Sequence, residues 1–306
     1  MIDSYQTKPM TKNIHLQHCE DSILTGNLEV LDWFVTPGYL STKMDGSPAI
    51  CWGTNPATGK FCLGTKSIFN KVKIKIAHSH EEIDQFYTDK VATILHAFFD
   101  HLPRTETIYQ MDFLGFGGSN EYTPNVITYK FPEIITQNII ICPHTCYSAE
   151  IDLRDAVAMP DRAIWKDTDT VKFVKPTASI FAGAEYFADL EEICEFAKCI
   201  AGAVEFATPK DAAKLKQHLN AYIREGKDVN IDDFENKNLI NFWKLVRSIT
   251  QDALYLCRND GPDAYLNGER VDSEGYVMTN EFGMFKLVNR EVFSHANFAM
   301  HKKYSS

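Results

Sequence analysis

Residues 38–53, GYLSTKMDGSPAICWG, decide how this chain is read. The stretch is strand-like, and its second half, Ala49 to Trp52, is apolar and β-prone. At its centre stands Lys43-Met44-Asp45-Gly46. A lysine is a poor nucleophile while protonated. Burial in an apolar pocket or beside other cations lowers its pKa and frees the lone pair. The glycine permits a tight turn and lets backbone approach a ligand. Taken alone, K-x-D-G is more often a solvated lysine in a β-turn, because short patterns recur by chance.

Outward from that stretch, ATGK (57–60) resembles a hairpin turn and FCLGTKSI (61–68) the returning strand. Residues 79–101 predict one helix. Ser79 and Glu82 form a capping-box pattern, and Ile83, Phe86, Tyr87, Val91, Ile94, Leu95 and Phe98 recur at helical spacing. TIYQMDFLGF (107–116), NVITYKF (125–131), NIIICPH (138–144) and VKFVK (171–175) read as strands. Upstream, residues 14–34 read as partly helical with a break near Gly26.

The texture changes after about residue 178. A helix follows from Ala184, a second starts at Thr208-Pro209 and stops at Gly226, and a third runs from Glu235 to Cys257. Strands then return in GYVMT and MFKLVNR, around a turn at 280–283. The order predicts an α+β protein of antiparallel sheets with flanking helices. Residues 1–177 and 263–306 form its main domain, and 178–262 a helical insertion.

Composition sets the outer bounds. The chain has 306 residues, 44% hydrophobic and 24% charged, which excludes collagen-like and disordered classes. A net charge of -10 argues against a surface coated for nucleic acid but leaves room for a local basic groove. No apolar run approaches a membrane span, and the first residues lack an apolar signal core. Eight cysteines without a C-x-x-C pair read as packed thiols. The expectation is a cytoplasmic protein in a reducing compartment, with no membrane partner.

Three further charges stand in apolar strands. Asp112 lies inside Tyr109-Gln110-Met111-Asp112-Phe113, Glu274 opens Glu274-Gly275-Tyr276-Val277, and Lys286 sits within Phe285-Lys286-Leu287-Val288. A buried charge needs a partner. With Lys43 they make a charge-matched set of two lysines and two carboxylates.

In that order the motifs resemble the covalent nucleotidyltransferase superfamily of ATP-dependent DNA ligases, RNA ligases and messenger-RNA capping enzymes. The likeness is best to bacteriophage-type RNA ligases. Lys43 to Gly46 match the K-x-D-G nucleophile motif. Gly64-Thr65-Lys66-Ser67 falls where the family has a basic or hydroxyl residue on the next strand. Tyr109 to Phe113 resembles its third motif, Glu274 to Val277 matches E-G-x-V, and Phe285-Lys286-Leu287 matches the first half of K-x-K. The chain departs from the family in having Asp112 for a glutamate and Val288 for the second lysine of K-x-K. Only 20 residues follow Lys286, so no C-terminal OB domain is expected after it.

The resemblance implies a ligase-type adenylation domain and its chemistry. Lys43 would attack the α-phosphorus of ATP to form a Lys43–AMP adduct, with Mg2+ or Mn2+ at the phosphates. Lys286 would neutralise the α-phosphate and lower the Lys43 pKa. Glu274 would hold metal or order the nucleophile, and Asp112 would hold a ribose hydroxyl or metal. Asp45 and Gly46 would help bind nucleotide, Lys66 would contact phosphate, and His144 is the candidate to stack on the base. The AMP would pass to the 5′-phosphate of RNA or nicked nucleic acid, and a 3′-hydroxyl would displace it.

Other readings stay open. The enzyme could be a DNA ligase, or transfer AMP to a protein or small molecule, with the insertion recognising the acceptor. The fold could also be a catalytically weakened binding module with a protein partner on the insertion. Lys66, Lys71, Lys73 and Lys75 form a phosphate track or a solvated strand edge in equal measure. His15, His18, Glu20 and Asp21 read as helix-start chemistry, with substrate gating as the alternative.

Overall fold

A computed structural model describes residues 16–175 and 177–293. The chain opens with β1 (Gln17–His18), α1 (Cys19–Ser22), a 3-10 turn (Ile23–Thr25) and α2 (Glu29–Val35). Gly26 ends that turn in the left-handed region at φ 80°, where a side chain would be strained. The segment from Tyr39 to Gly64 forms β2 (Tyr39–Lys43), β3 (Ala49–Thr54) and β4 (Phe61–Gly64), and a second 3-10 turn (Lys66–Phe69) follows. Then come α3 (His80–Phe86), α4 (Asp89–His101), β5 (Ile108–Phe116), β6 (Glu121–Tyr122), β7 (Ile127–Lys130), β8 (Ile139–Ser148), β9 (Val157–Pro160) and β10 (Val171–Phe173). After β11 (Ala178–Ile180) lie the long helices α5 (Ala184–Ala201), α6 (Pro209–Arg224) and α7 (Lys237–Leu256). The chain closes with β12 (Cys257–Asn259), β13 (Asp263–Leu266), β14 (Glu269–Val271), β15 (Gly275–Asn280) and β16 (Gly283–Val288).

This is an α+β fold built on open, mostly antiparallel sheets. One sheet has the order β1-β16-β15-β2, and a second has β10-β8-β5-β3-β4 with β9 on β8. Smaller sheets are β14-β13-β7-β6 and β11-β12. The pairs β1–β16 and β10–β8 are parallel. Because β2 belongs to the first sheet and β3 to the second, the short crossover 44–48 joins them.

Strand periodicity then sorts the side chains. In β15 and β16, Tyr276, Met278, Phe285 and Leu287 are buried in one core with Trp33, Leu190, Phe242 and Val246. Their alternates Val277, Thr279, Met284 and Lys286 line a cavity. In β5, Met111 and Phe113 pack on Ile94, Leu95 and Phe98 of α4, while Gln110 and Asp112 line the same cavity. Helices therefore cover the outer face of each sheet, and the cavity lies between the sheets.

The helices of 178–262 do not stand apart from the sheets. β11 and β12 pair at the stem of the excursion, and α5 and α7 share the first sheet's core. A buried ionic hub ties them down further. Arg290 donates to Glu20 Oε1 (2.5 Å) and Asp21 Oδ1 (2.9 Å), and also to Asn220 of α6. Lys216 lies 3.3 Å from Asp21. Glu20 and Asp21 do begin α1, but their carboxylates are spent on this hub. His15 and the residues beyond 293 lie outside the described residues.

Two local expectations change. Residues 79–101 form two helices, although the Ser79 cap is present, accepting from Glu82 N. The break falls at Tyr87, whose ring tip is claimed by tertiary contacts. Its hydroxyl accepts from Thr65 N (3.2 Å) and donates to Lys75 O (2.9 Å). Those bonds draw Tyr87 into extended backbone, and α4 restarts after Thr88. Lys66 sits not on a strand but at the start of the 3-10 turn, where Thr65 accepts from Ser67 N. Among the described residues, no helix is long and apolar enough to cross a membrane.

Candidate active site

The cavity has a volume of about 380 Å³. Lys43, Asp45, Gly46, Lys66, Asp112, His144 and Lys286 all line it. Lys43 ends β2 directly opposite Gly275 of β15. Gly275 is required there: a Cβ would fall 2.2 Å from the Leu287 carbonyl of β16. That close strand approach places the preceding residue, Glu274, at the sheet end, where its carboxylate is ion-paired with Lys43 Nζ.

Charge on this pair is shaped by opposing effects. Burial disfavours the Lys43 ammonium, but the Glu274 carboxylate outweighs it and holds the amine above the ordinary lysine range, with Asp112 and Asp45 adding to the effect. The expectation that Lys286 lowers the Lys43 pKa is therefore not met. The perturbed amine is Lys286 itself, depressed to about 8 by burial first and then by Lys43. Lys286 lies on β16, across from Val277 and beside His18 of β1. Its side chain makes no ion pair or hydrogen bond to the described residues.

Asp45 and Gly46 set the shape of the crossover. Asp45 is buried, and its carboxylate accepts from Asn125 Nδ2 (2.9 Å) and from Val126 N (3.0 Å). Its backbone N–H donates to the Tyr129 hydroxyl at 2.5 Å. Asp45 thus anchors the lysine-bearing loop to β7. A Cβ on Gly46 would lie 2.5 Å from Asp112 Cβ and 3.0 Å from Phe113 O. Only glycine lets the loop lie flat on β5, where Ser47 N donates to Phe113 O at 3.0 Å.

Asp112 stands mid-strand, paired across to Ala49. His144 Nε2 lies 3.7 Å from its carboxylate and 3.3 Å from Gln110 Nε2, and Tyr147 donates to Gln110 Oε1 at 2.6 Å. His144 is thereby tied to the polar wall of the cavity. Of the basic run, Lys66 reaches the cavity, Lys71 and Lys73 are exposed, and Lys75 is spent on Phe86 O at 2.8 Å.

The balance of charge decides what the cavity can hold. Lys43, Lys66, Lys175 and Lys286 face Asp45, Asp112 and Asp161 across it. Asp45 is consumed by the loop, and Asp161 accepts from Ala163 N (2.9 Å) and Trp165 Nε1 (2.6 Å). With both carboxylates satisfied by the protein, Lys66, Lys175 and Lys286, which have no ion pair among the described residues, are left to meet a ligand, inside a chain of net charge -10. Such a cavity suits a phosphorylated ligand. Among the described residues, no group of three or more His, Cys, Asp or Glu is arranged to hold a metal.

A family model matches residues 13–253 and 228–302. The chain belongs to the family of unknown function DUF6267. No curated protein and no solved structure matches it.

In this DUF6267 chain, three residues that shape the site carried no motif of their own. Tyr129 is a polar group inside an apolar strand, a pattern that marks buried hydrogen bonding. Lys175 and Asp161 lie beside strands and reach the cavity only through tertiary packing. All eight cysteines are free thiols, most of them buried, and burial pushes Cys51 and Cys62 well up from the ordinary thiol value, Cys62 to about 12.

Proposed function

We propose that the protein is an ATP-dependent, ligase-type nucleotidyltransferase that acts through a covalent Lys43–AMP intermediate and seals RNA ends. One observation carries the reading. Lys43, Asp112 and Lys286 are far apart in the chain, yet they line one cavity, and Glu274 joins them there through its ion pair with Lys43.

In the first step Lys43 gives an ammonium proton to Glu274, the freed Nζ lone pair bonds to the α-phosphorus of ATP, the bond from that phosphorus to pyrophosphate breaks, and the second amine proton leaves to water or to the departing pyrophosphate. Lys286 neutralises the α-phosphate, with Lys66 as a second cation along the wall. Asp112 accepts a hydrogen bond from a ribose hydroxyl, and His144 flanks the nucleoside. Mg2+ or Mn2+ held at Glu274 and Asp112 would supply charge neutralisation on the phosphates. The AMP then passes to an RNA 5′-phosphate, and a 3′-hydroxyl displaces it. A ligase-type adenylation domain is the architecture this reading requires.

Incubation with α-labelled ATP and Mg2+ or Mn2+ tests the first step. Label should become bound covalently to wild type and be absent from Lys43→Ala. Nicked RNA, nicked DNA and single-stranded RNA then distinguish the acceptors. An adduct without sealing of any strand points to a protein or small-molecule acceptor. A second reading, a phosphate-ligand binding module, is favoured by the ion pair that keeps Lys43 protonated. ATP binding without an adduct at any metal or pH would establish it.

A further inference from the structure

Away from the cavity, four side chains form a continuous chain along α3 and α4. Asp84 Oδ1 lies 2.8 Å from His96 Nε2, and Asp100 Oδ1 lies 3.0 Å from His80 Nε2. The two Nδ1 atoms face each other at 2.7 Å. The ring planes are nearly parallel, at 19° with centroids 5.0 Å apart, and Phe99 packs edge-on against His80.

Hydrogen-bond accounting makes this arrangement informative. An ionised aspartate only accepts, so each Nε2 must donate. Each neutral ring is then left with a lone pair on Nδ1, and two lone pairs at that separation repel unless a cation lies between them. An imidazole whose second nitrogen donates to a carboxylate is also the usual state of a metal-bound histidine. Two carboxylates balance the charge of one divalent ion, whereas a single shared proton leaves the group negative.

We propose that His80 and His96 bind a divalent transition-metal ion through their Nδ1 atoms, oriented by Asp100 and Asp84. With metal–nitrogen bonds of about 2.0–2.1 Å, nitrogens at right angles are about 2.9 Å apart and tetrahedral ones about 3.3 Å. The observed spacing is nearer the first. A tetragonal ion, Cu2+ or Ni2+, therefore fits with a smaller adjustment than Zn2+. The broad terminal torsion of histidine supplies that adjustment. The side chains of His80 and His96 are 43% and 31% exposed, so water completes the sphere. The ion would staple α3 to α4, and α3 ends at the Tyr87 that holds the Lys66 turn.

The test uses untagged, chelator-treated full-length protein titrated with Ni2+, Cu2+, Zn2+ and Mg2+, followed by calorimetry and thermal unfolding. Saturable binding of one equivalent of Ni2+ or Cu2+ with a raised Tm is expected, and none of Mg2+. His80→Gln and His96→Gln should each weaken binding by roughly tenfold or more, with circular dichroism reporting that they fold. In wild type alone, bound metal should protect both histidines from carbethoxylation. Absence of saturable binding, or binding unchanged in both variants, overturns the site. So does a pH-dependent coupling between the two histidines without metal binding, which would identify a shared proton instead.

Discussion

Lys286→Met separates the cost of the cationic cavity from its use. The Lys286 pKa is held down to about 8 in the native protein, against 10.5 for an ordinary lysine. At about 1.4 kcal/mol for each tenfold change in proton affinity, that difference caps the penalty for keeping this ammonium in the fold at about 3.5 kcal/mol. Relaxation of Lys43 and Lys216 around it reduces the realised value to about 1–3 kcal/mol. Methionine keeps the length and removes the charge, so the variant should be more stable than wild type at pH 7 by that amount. Between about 8 and 10.5 the unfolded chain binds the proton that the native protein has released. Wild-type stability therefore gains from this group as pH rises through that window, and the variant lacks the gain. Urea unfolding of both proteins from pH 7 to pH 10 should show the advantage of the variant shrinking. At pH 7, pyrophosphate should raise the Tm of wild type more than that of the variant. A variant less stable than wild type at pH 7, or a difference that ignores pH, refutes the placement of an unpartnered ammonium in the cavity.

Other perturbations probe the rest of the site. Gly46→Ala should cost about 1–3 kcal/mol by thermal or urea unfolding, because the new methyl meets Asp112 Cβ at 2.5 Å and cannot be accommodated without lifting the loop from β5. Glu274→Gln removes the carboxylate that holds Lys43 high, so the pH midpoint for modification of Lys43 by an amine reagent, read by peptide mass spectrometry, should fall. Arg290→Met leaves Glu20 buried without a cation and Asp21 with Lys216 alone, and should cost about 3–5 kcal/mol in denaturant unfolding.

Much of the fold was legible in the sequence because its elements are set locally. The caps at Ser79 and Thr208, the stop at Gly226 and the alternation in β5 and β15 act over a few residues. The failures came where a distant group intervened. Tyr87 fits a helical stripe, yet bonds to Thr65 and Lys75 pull it out of one. Elsewhere the distant group adds a role that the sequence does not show. The Asp45 carboxylate, read as part of a ligand motif, also accepts from Asn125 and Val126 just before β7. Glu20 and Asp21 do stand in the first turn of α1, and Arg290, far along the chain, joins them in an ionic hub.

The amino-acid order alone determined which residues have the chemistry: a lysine before a turn, carboxylates and a second lysine held in apolar strands, and glycines where strands must touch. Only the tertiary structure decided in which direction each lysine is shifted. Both are half-buried, but the register of β15 on β2 pairs Glu274 with Lys43 and leaves the Lys286 side chain without an ion pair among the described residues. Proton affinity follows the sum of burial and neighbouring charge, and those neighbours are chosen by strand pairing across more than two hundred residues, not by the words on either side.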